Sequence, residues 1–133
     1  MKNELWESTQ AIGGKFAKIC ETMMKSKAWK QLSMRQRGLY LSLKIKYTKK
    51  SDGSDNHDNI TITCTEFHDE YKTKKTLYDD IDALIDTGFI EVVSHGKYFR
   101  KPNIYAFSSE WQRFGTKEFF VHPNKKRMTK NNK

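Results

Sequence analysis

With 133 residues, 36% of them hydrophobic and 13% aromatic, the chain has the size for one modest core and a polar but not disordered composition. Its formal net charge of +9 points to a polyanionic partner, nucleic acid first. No apolar run approaches membrane-spanning length and no signal-peptide core follows Met1, so a soluble, cytoplasmic protein without a membrane partner is expected.

Residues 1–14 are weakly specified and end on Gly13-Gly14, a flexible break. The alternation in KFAKIC suggests a short strand. MMKSKAWKQL then suggests a short helix that buries Met24, Ala28 and Trp29 on one side. Ser33 is suited to cap the following segment, SMRQRGLYLSLKIKYTKK, expected as a helix of about four turns with Leu39, Tyr40, Leu43 and Tyr47 as its core stripe. Residues 51–59 carry loop signals throughout, and ITIT at 60–63 is β-branched enough for a strand. Thr65 is a candidate cap for a short helix in EFHDEYK, and Thr73 for a longer one in KKTLYDDIDALIDTGF, which Gly88 should stop.

After Gly88, FIEVVSHGKYFRKPNIYAFS suggests two strands joined by a two-residue turn at His95-Gly96, the glycine supplying positive φ. Pro102 marks an edge or bulge in the second strand. SSEWQRF suggests a helical turn, and the basic end, NKKRMTKNNK, lacks apolar periodicity and suggests a disordered tail. Cys20 and Cys64 lack C-x-x-C spacing, which leaves out a zinc finger and suits small buried residues in a reducing compartment. Trp29, Tyr40, Phe67, Phe89 and Trp111 are expected in the core.

The order of helices, short strand, capped helix pair and two-stranded hairpin resembles the winged helix-turn-helix family, most closely in ITITCTEFHDEYKTKKTLYDDIDALIDTGFIEVV. The resemblance covers roughly residues 15–114 and implies an α+β fold of three or four helices with a small antiparallel β-wing, followed by a basic tail at 115–133. The wider frame, FAKICETMMKSKAWKQLSMRQRGLYLSL, is similar to winged-helix domains of plasmid and mobile-element proteins from low-GC Gram-positive bacteria. Among these are the TcpK family of conjugation accessory proteins, which bind an origin of transfer, and the N-terminal domains of replication initiators. The resemblance therefore implies double-stranded DNA as the partner, with a transcriptional repressor or a replication-initiator fragment as the neighbouring alternatives.

The second helix of the pair complicates that expectation. On a helical projection Leu77, Ile81, Leu84 and Ile85 share an apolar arc, and Lys75, Asp79, Asp82 and Asp86 share the opposite one. In the usual docking the outward arc lies in the major groove, where each carboxylate within 6–7 Å of a phosphate costs about 0.6 kcal/mol even at the dielectric of water. By segment, residues 51–91 carry −8, residues 1–32 +3, residues 33–50 +6 and residues 92–133 +8.

DNA is therefore expected to be held by the wing (Lys97, Tyr98, Arg100, Lys101, Asn103), by the start of the second helix (Thr73, Lys74, Lys75, Thr76) and by the tail (Lys125, Lys126, Arg127). Neutralising the wing should weaken binding far more than changing Asp79, Asp82 or Asp86 to Asn. The acidic arc then has three readings: a solvated face, a protein interface that would make the chain an adaptor for a relaxase or similar partner, and, as the lesser one, an aspartate contact to cytosine. A homodimer on repeated or palindromic sites is compatible with so small a domain. Arg35 and Arg37 are expected as solvated first-turn residues. No metal, cofactor or catalytic constellation is expected. The loop DGSDNHDN has Ile60 where a calcium loop starting at Asp55 needs glycine, the four histidines lack ligand spacing, and no P-loop, H-E-x-x-H or G-x-S-x-G occurs.

Overall fold

The computed structural model describes residues 17–96 and 101–128. The fold is α+β: α1 (Glu21–Met24), α2 (Lys27–Gln31), α3 (Met34–Ile45), α4 (Lys74–Asp86), then β1 (Ile90–Ser94) antiparallel to β2 (Ile104–Phe107). Single 3-10 turns follow at Glu110–Arg113 and Pro123–Lys125.

The two long helices form where their caps and stripes require. The Ser33 hydroxyl accepts the Gln36 N–H, and the Gln36 side chain accepts the Ser33 N–H, a reciprocal capping box that starts α3. Thr73 caps α4 by accepting the Thr76 N–H. At the other end of α4 the Gly88 N–H donates to the Ile85 carbonyl and the Phe89 N–H to the Leu84 carbonyl, a Schellman closure with Gly88 at φ 88°. A Cβ there would also lie 2.5 Å from the Trp111 nitrogen, so position 88 requires glycine for both conformation and space.

Leu77, Ile81, Leu84 and Ile85 are buried as the apolar arc of α4 requires, against Leu39, Tyr40 and Leu43 of α3. The Schellman turn delivers Phe89 into an aromatic cluster with Trp29, Tyr40 and Trp111, the last ring stacking on Phe89 at 6.0 Å. Phe67 is buried as well, while Trp111 is only half-buried.

Several local expectations are corrected. Residues 17–20 are irregular, not a strand, and 21–31 forms two short helices broken at Ser26. Ser26 caps α2 through the Trp29 N–H and donates its hydroxyl to the Met23 carbonyl. That break shifts the register, so Met23 is buried and Met24 is exposed. α3 stops at Ile45 rather than running to residue 50. The Asn56 side chain takes the Thr48 N–H and donates to the Lys46 carbonyl, and the Tyr47 hydroxyl donates to Asp55 outside the helix.

ITIT pairs with β2 only through a bridge between Ile60 and Tyr105. Beyond it the Thr63 N–H goes to the Glu66 carboxylate, and Pro102 has no N–H with which to extend the ladder. The EFHDEYK segment is a series of turns, and its capping contacts are made by Thr63 with Glu66 rather than by Thr65.

The strands are not joined by two residues. Ser94 pairs with Ile104 after an irregularity at Val93, and residues 95–103 connect them, so Pro102 lies in the connection and not in β2. Gly96 does not have positive φ. Its glycine is required because a Cβ would lie 1.9 Å from the Lys101 carbonyl oxygen, where the Lys101 N–H closes the connection onto the Gly96 carbonyl. Cys20 is exposed and Cys64 half-buried, both free thiols, rather than fully buried residues.

Candidate nucleic-acid interface

The start of α4, the segment at 62–65, the β1–β2 connection and the C-terminal segment meet at a cleft of about 490 Å³. Lys74 and Tyr78 reach it from α4, His95, Lys101 and Asn103 from the connection, and Arg127 from the C-terminal segment. Among the described residues no carboxylate lines it. A concave site with the Lys74 and Lys101 ammonium groups and an arginine in its wall, and no acid among its described lining residues, attracts an anion, and field lines concentrate in such a recess.

Each side chain is held by local chemistry. The Asn103 side-chain oxygen accepts the Gly96 N–H at 2.9 Å and its amide donates to the Tyr105 hydroxyl at 3.4 Å, so Asn103 braces the connection from inside. His95 Nε2 lies 2.8 Å from the Lys126 carbonyl oxygen and ties the C-terminal segment to the connection. The Cys64 thiol donates to the Tyr78 hydroxyl at 3.9 Å; burial foremost, and this contact next, push the Tyr78 phenol up from its ordinary value. Thr73 and Thr76 are occupied with each other at the cap, their hydroxyls 2.8 Å apart. The first amides of α4, those of Lys74 and Lys75, lie ahead of the residues that the cap satisfies.

Of the twelve residues the sequence singled out, Lys74, Lys101, Asn103 and Arg127 converge on the cleft. Lys97, Tyr98 and Arg100 lie outside the described residues. Lys75, Lys125, Lys126 and Arg127 are engaged with acids. Lys75 pairs with Asp79 at 2.8 Å, which raises the Lys75 ammonium from its ordinary value. Lys125 pairs with Glu91 at 2.8 Å and Lys126 with Asp86 at 3.7 Å. Arg127 takes both oxygens of Asp82, Nε at 2.8 Å and Nη2 at 2.9 Å, and lies 4.5 Å from the centre of the Tyr78 ring.

Two sequence readings change as a result. The basic stretch expected to be a disordered tail is, through residue 128, a strap laid along α4 and β1. The outward acidic arc is not an uncompensated face, because Asp79, Asp82 and Asp86 each have a cation within 4 Å.

The remaining aspartate of the helix, Asp80, is 1% exposed and faces α3. It accepts Arg35 Nε at 2.6 Å, the Tyr71 hydroxyl at 2.6 Å and Gln36 Nε2 at 3.1 Å. Burial pushes its carboxyl up, but the hydrogen bonds from Arg35, Tyr71 and Gln36 outweigh that and hold it below the ordinary range. Arg35 is thus a partner of the core and not simply solvated, and Arg37 donates to the Trp29 carbonyl at 3.1 Å.

The sequence alone did not single out Tyr78, His95 or the pairing role of Asp82 at this site. The one available signal was the opposite charge of residues 51–91 and 92–133. Among the described residues no cluster of His, Cys, Asp or Glu could hold a metal ion, and no helix is long and apolar enough to cross a membrane. Comparison of the chain with models of protein families, with curated proteins and with solved structures gives no match.

Proposed function

We propose that the chain is a winged helix-turn-helix protein that binds double-stranded DNA without catalysis, through the cleft between the start of α4 and the β1–β2 connection. The observation that carries this reading is the convergence of Lys74, Lys101 and Arg127 on a recess with no carboxylate among its described lining residues. The element order supports it: α3, then capped α4, then an antiparallel pair whose connection stands beside the start of α4, with Ile60 bridging the outer strand. Lys74, the first residue of α4, lines the cleft, and phosphate is the anion that a helix start favours.

The pairing of the acidic arc favours DNA over the adaptor reading. An adaptor that recruits a relaxase would use an available acidic face, whereas the carboxylates of α4 are matched by Lys75, Lys126 and Arg127. The resemblance to plasmid proteins suggests a conjugation accessory factor acting at an origin of transfer. A repressor or replication-initiator role remains within the same DNA-binding class.

Fluorescence anisotropy with a labelled duplex across a salt series tests the reading. Affinity should fall steeply with salt, and Lys74→Ala and Lys101→Ala should each lower the magnitude of the log–log slope by about 1, as expected for a lost phosphate contact. A slope near zero, or slopes unchanged in both variants, refutes the assignment of this cleft. Sequencing the fragments that the chain retains from plasmid DNA then separates the biological settings: enrichment at a transfer origin, a replication origin or a promoter selects one.

A further inference from the structure

Asp82 lies on the face of α4 where a negative charge should oppose DNA, yet it anchors a cation that lines the cleft. Its partner Arg127 comes from 45 residues away, is only 15% exposed at the side chain, and is held at Nε and Nη2 with the Tyr78 ring beneath. Arg127 Nη1 has no acceptor among the described residues. The neighbouring contacts keep the segment in register, Lys126 with Asp86 on one side and the Lys126 carbonyl with His95 on the other. The contrast is Asp79, whose partner Lys75 sits one turn away on the same helix, both side chains being mostly exposed.

We infer that Asp82 is a positioning residue for DNA binding: its carboxylate, with Tyr78, fixes the Arg127 guanidinium at the cleft and leaves Nη1 for phosphate or a base edge. This rests on the DNA-binding reading above. An arginine on a free segment loses rotamer and chain freedom when it binds, whereas an arginine already clamped by a fork of two parallel bonds has lost that freedom on folding. The same pairing also compensates the charge of Asp82. Simple charge counting and positioning then predict opposite signs. Removing a carboxylate near a polyanion should tighten binding, while removing the clamp on Arg127 should weaken it.

The test is anisotropy of a labelled duplex with the full chain, comparing wild type, Asp79→Asn, Asp82→Asn, Asp82→Glu, Arg127→Ala and the double variant Asp82→Asn/Arg127→Ala. Positioning requires Asp79→Asn to bind as wild type or slightly tighter. Asp82→Asn should bind about tenfold more weakly, close to Arg127→Ala, and should lower the salt slope by about 1, a change that a purely structural role would not produce. The double variant should be no weaker than Arg127→Ala, and Asp82→Glu should recover part of the loss. Circular dichroism melting of each variant keeps unfolding apart from loss of the contact, and Asp82→Glu serves where Asp82→Asn melts early. Wild-type binding with Asp82→Asn equal to or tighter than Asp79→Asn overturns this inference alone. A wild-type chain without salt-dependent DNA binding overturns the functional reading and this inference with it.

Discussion

Asp80 and Asp82 stand two positions apart on one helix and do opposite work. Asp80 is turned toward α3 and joins three elements from inside the fold, through Arg35 and Gln36 of α3 and Tyr71 of the preceding turns. Asp82 is turned outward and is one-third exposed, and its partner arrives from the C-terminal segment. Two helical positions rotate a side chain by 200°, which is enough to move a carboxylate from a buried network to a surface clasp. Charge on a helix therefore has no single meaning. What a carboxylate contributes depends on the donors that surround it and on how much water it has lost.

The sharpest break of this comparison is in stability. Asp80→Ala should cost about 3 kcal/mol, because the Tyr71 hydroxyl and Gln36 lose their acceptor and Arg35 its counter-charge. Urea unfolding followed by tryptophan fluorescence measures it, and a loss under about 1 kcal/mol would show that the network is dispensable. Arg35→Ala should cost less than Asp80→Ala, because the arginine is half-exposed and Tyr71 and Gln36 still donate to the carboxylate.

Acid titration sharpens the same contrast. The folded Asp80 carboxyl lies below its unfolded value of about 3.9, so its contribution is fully present above that pH and is lost as pH falls through the lower folded value. Urea midpoints of wild type should fall over this acidic range, and those of Asp80→Asn should fall less; parallel curves would contradict the pairing.

At the outer site the effects on stability should be small. Asp82→Asn is expected to cost about 1 kcal/mol or less, in line with partly exposed ion pairs, even where its effect on DNA affinity is large. Smallest of all is a local titration. His57 bonds Asp55, chiefly through its ring nitrogen, which raises the imidazole above its ordinary 6.5. A proton NMR titration should place its midpoint above 6.5, and a midpoint at or below that value would remove the contact.

The parts of the fold that were legible in the sequence are those governed by neighbours along the chain. Ser33 with Gln36, Thr73 with Thr76, Gly88 with the Ile85 carbonyl and Phe89 with the Leu84 carbonyl act over three to five residues, so caps and stops could be placed in advance. The apolar arc of α4 was legible for the same reason. Ambiguity appeared where a local preference had competition. ITIT is β-branched, yet the Glu66 carboxylate takes the Thr63 N–H, and only Ile60 keeps its bridge. Gly96 was identifiable as required, but for the wrong reason, since its constraint is a carbonyl from Lys101 and not its own φ. The site was half legible. Lys74, Lys101, Asn103 and Arg127 could be chosen by charge and position, but nothing local places them around one recess.

By itself the sequence determined a basic chain with one core, two capped helices, a glycine-stopped α4 with opposed apolar and acidic arcs, and a strand pair after it. Tertiary structure alone decided what the acids mean. Asp80 finds Arg35 across a separation of 45 residues, and Asp82 finds Arg127 across the same distance in the other direction. The physical reason is that a hydrogen-bonded ion pair acts within about 4 Å, whereas which distant cation comes that close is set by how the helices and the C-terminal segment pack.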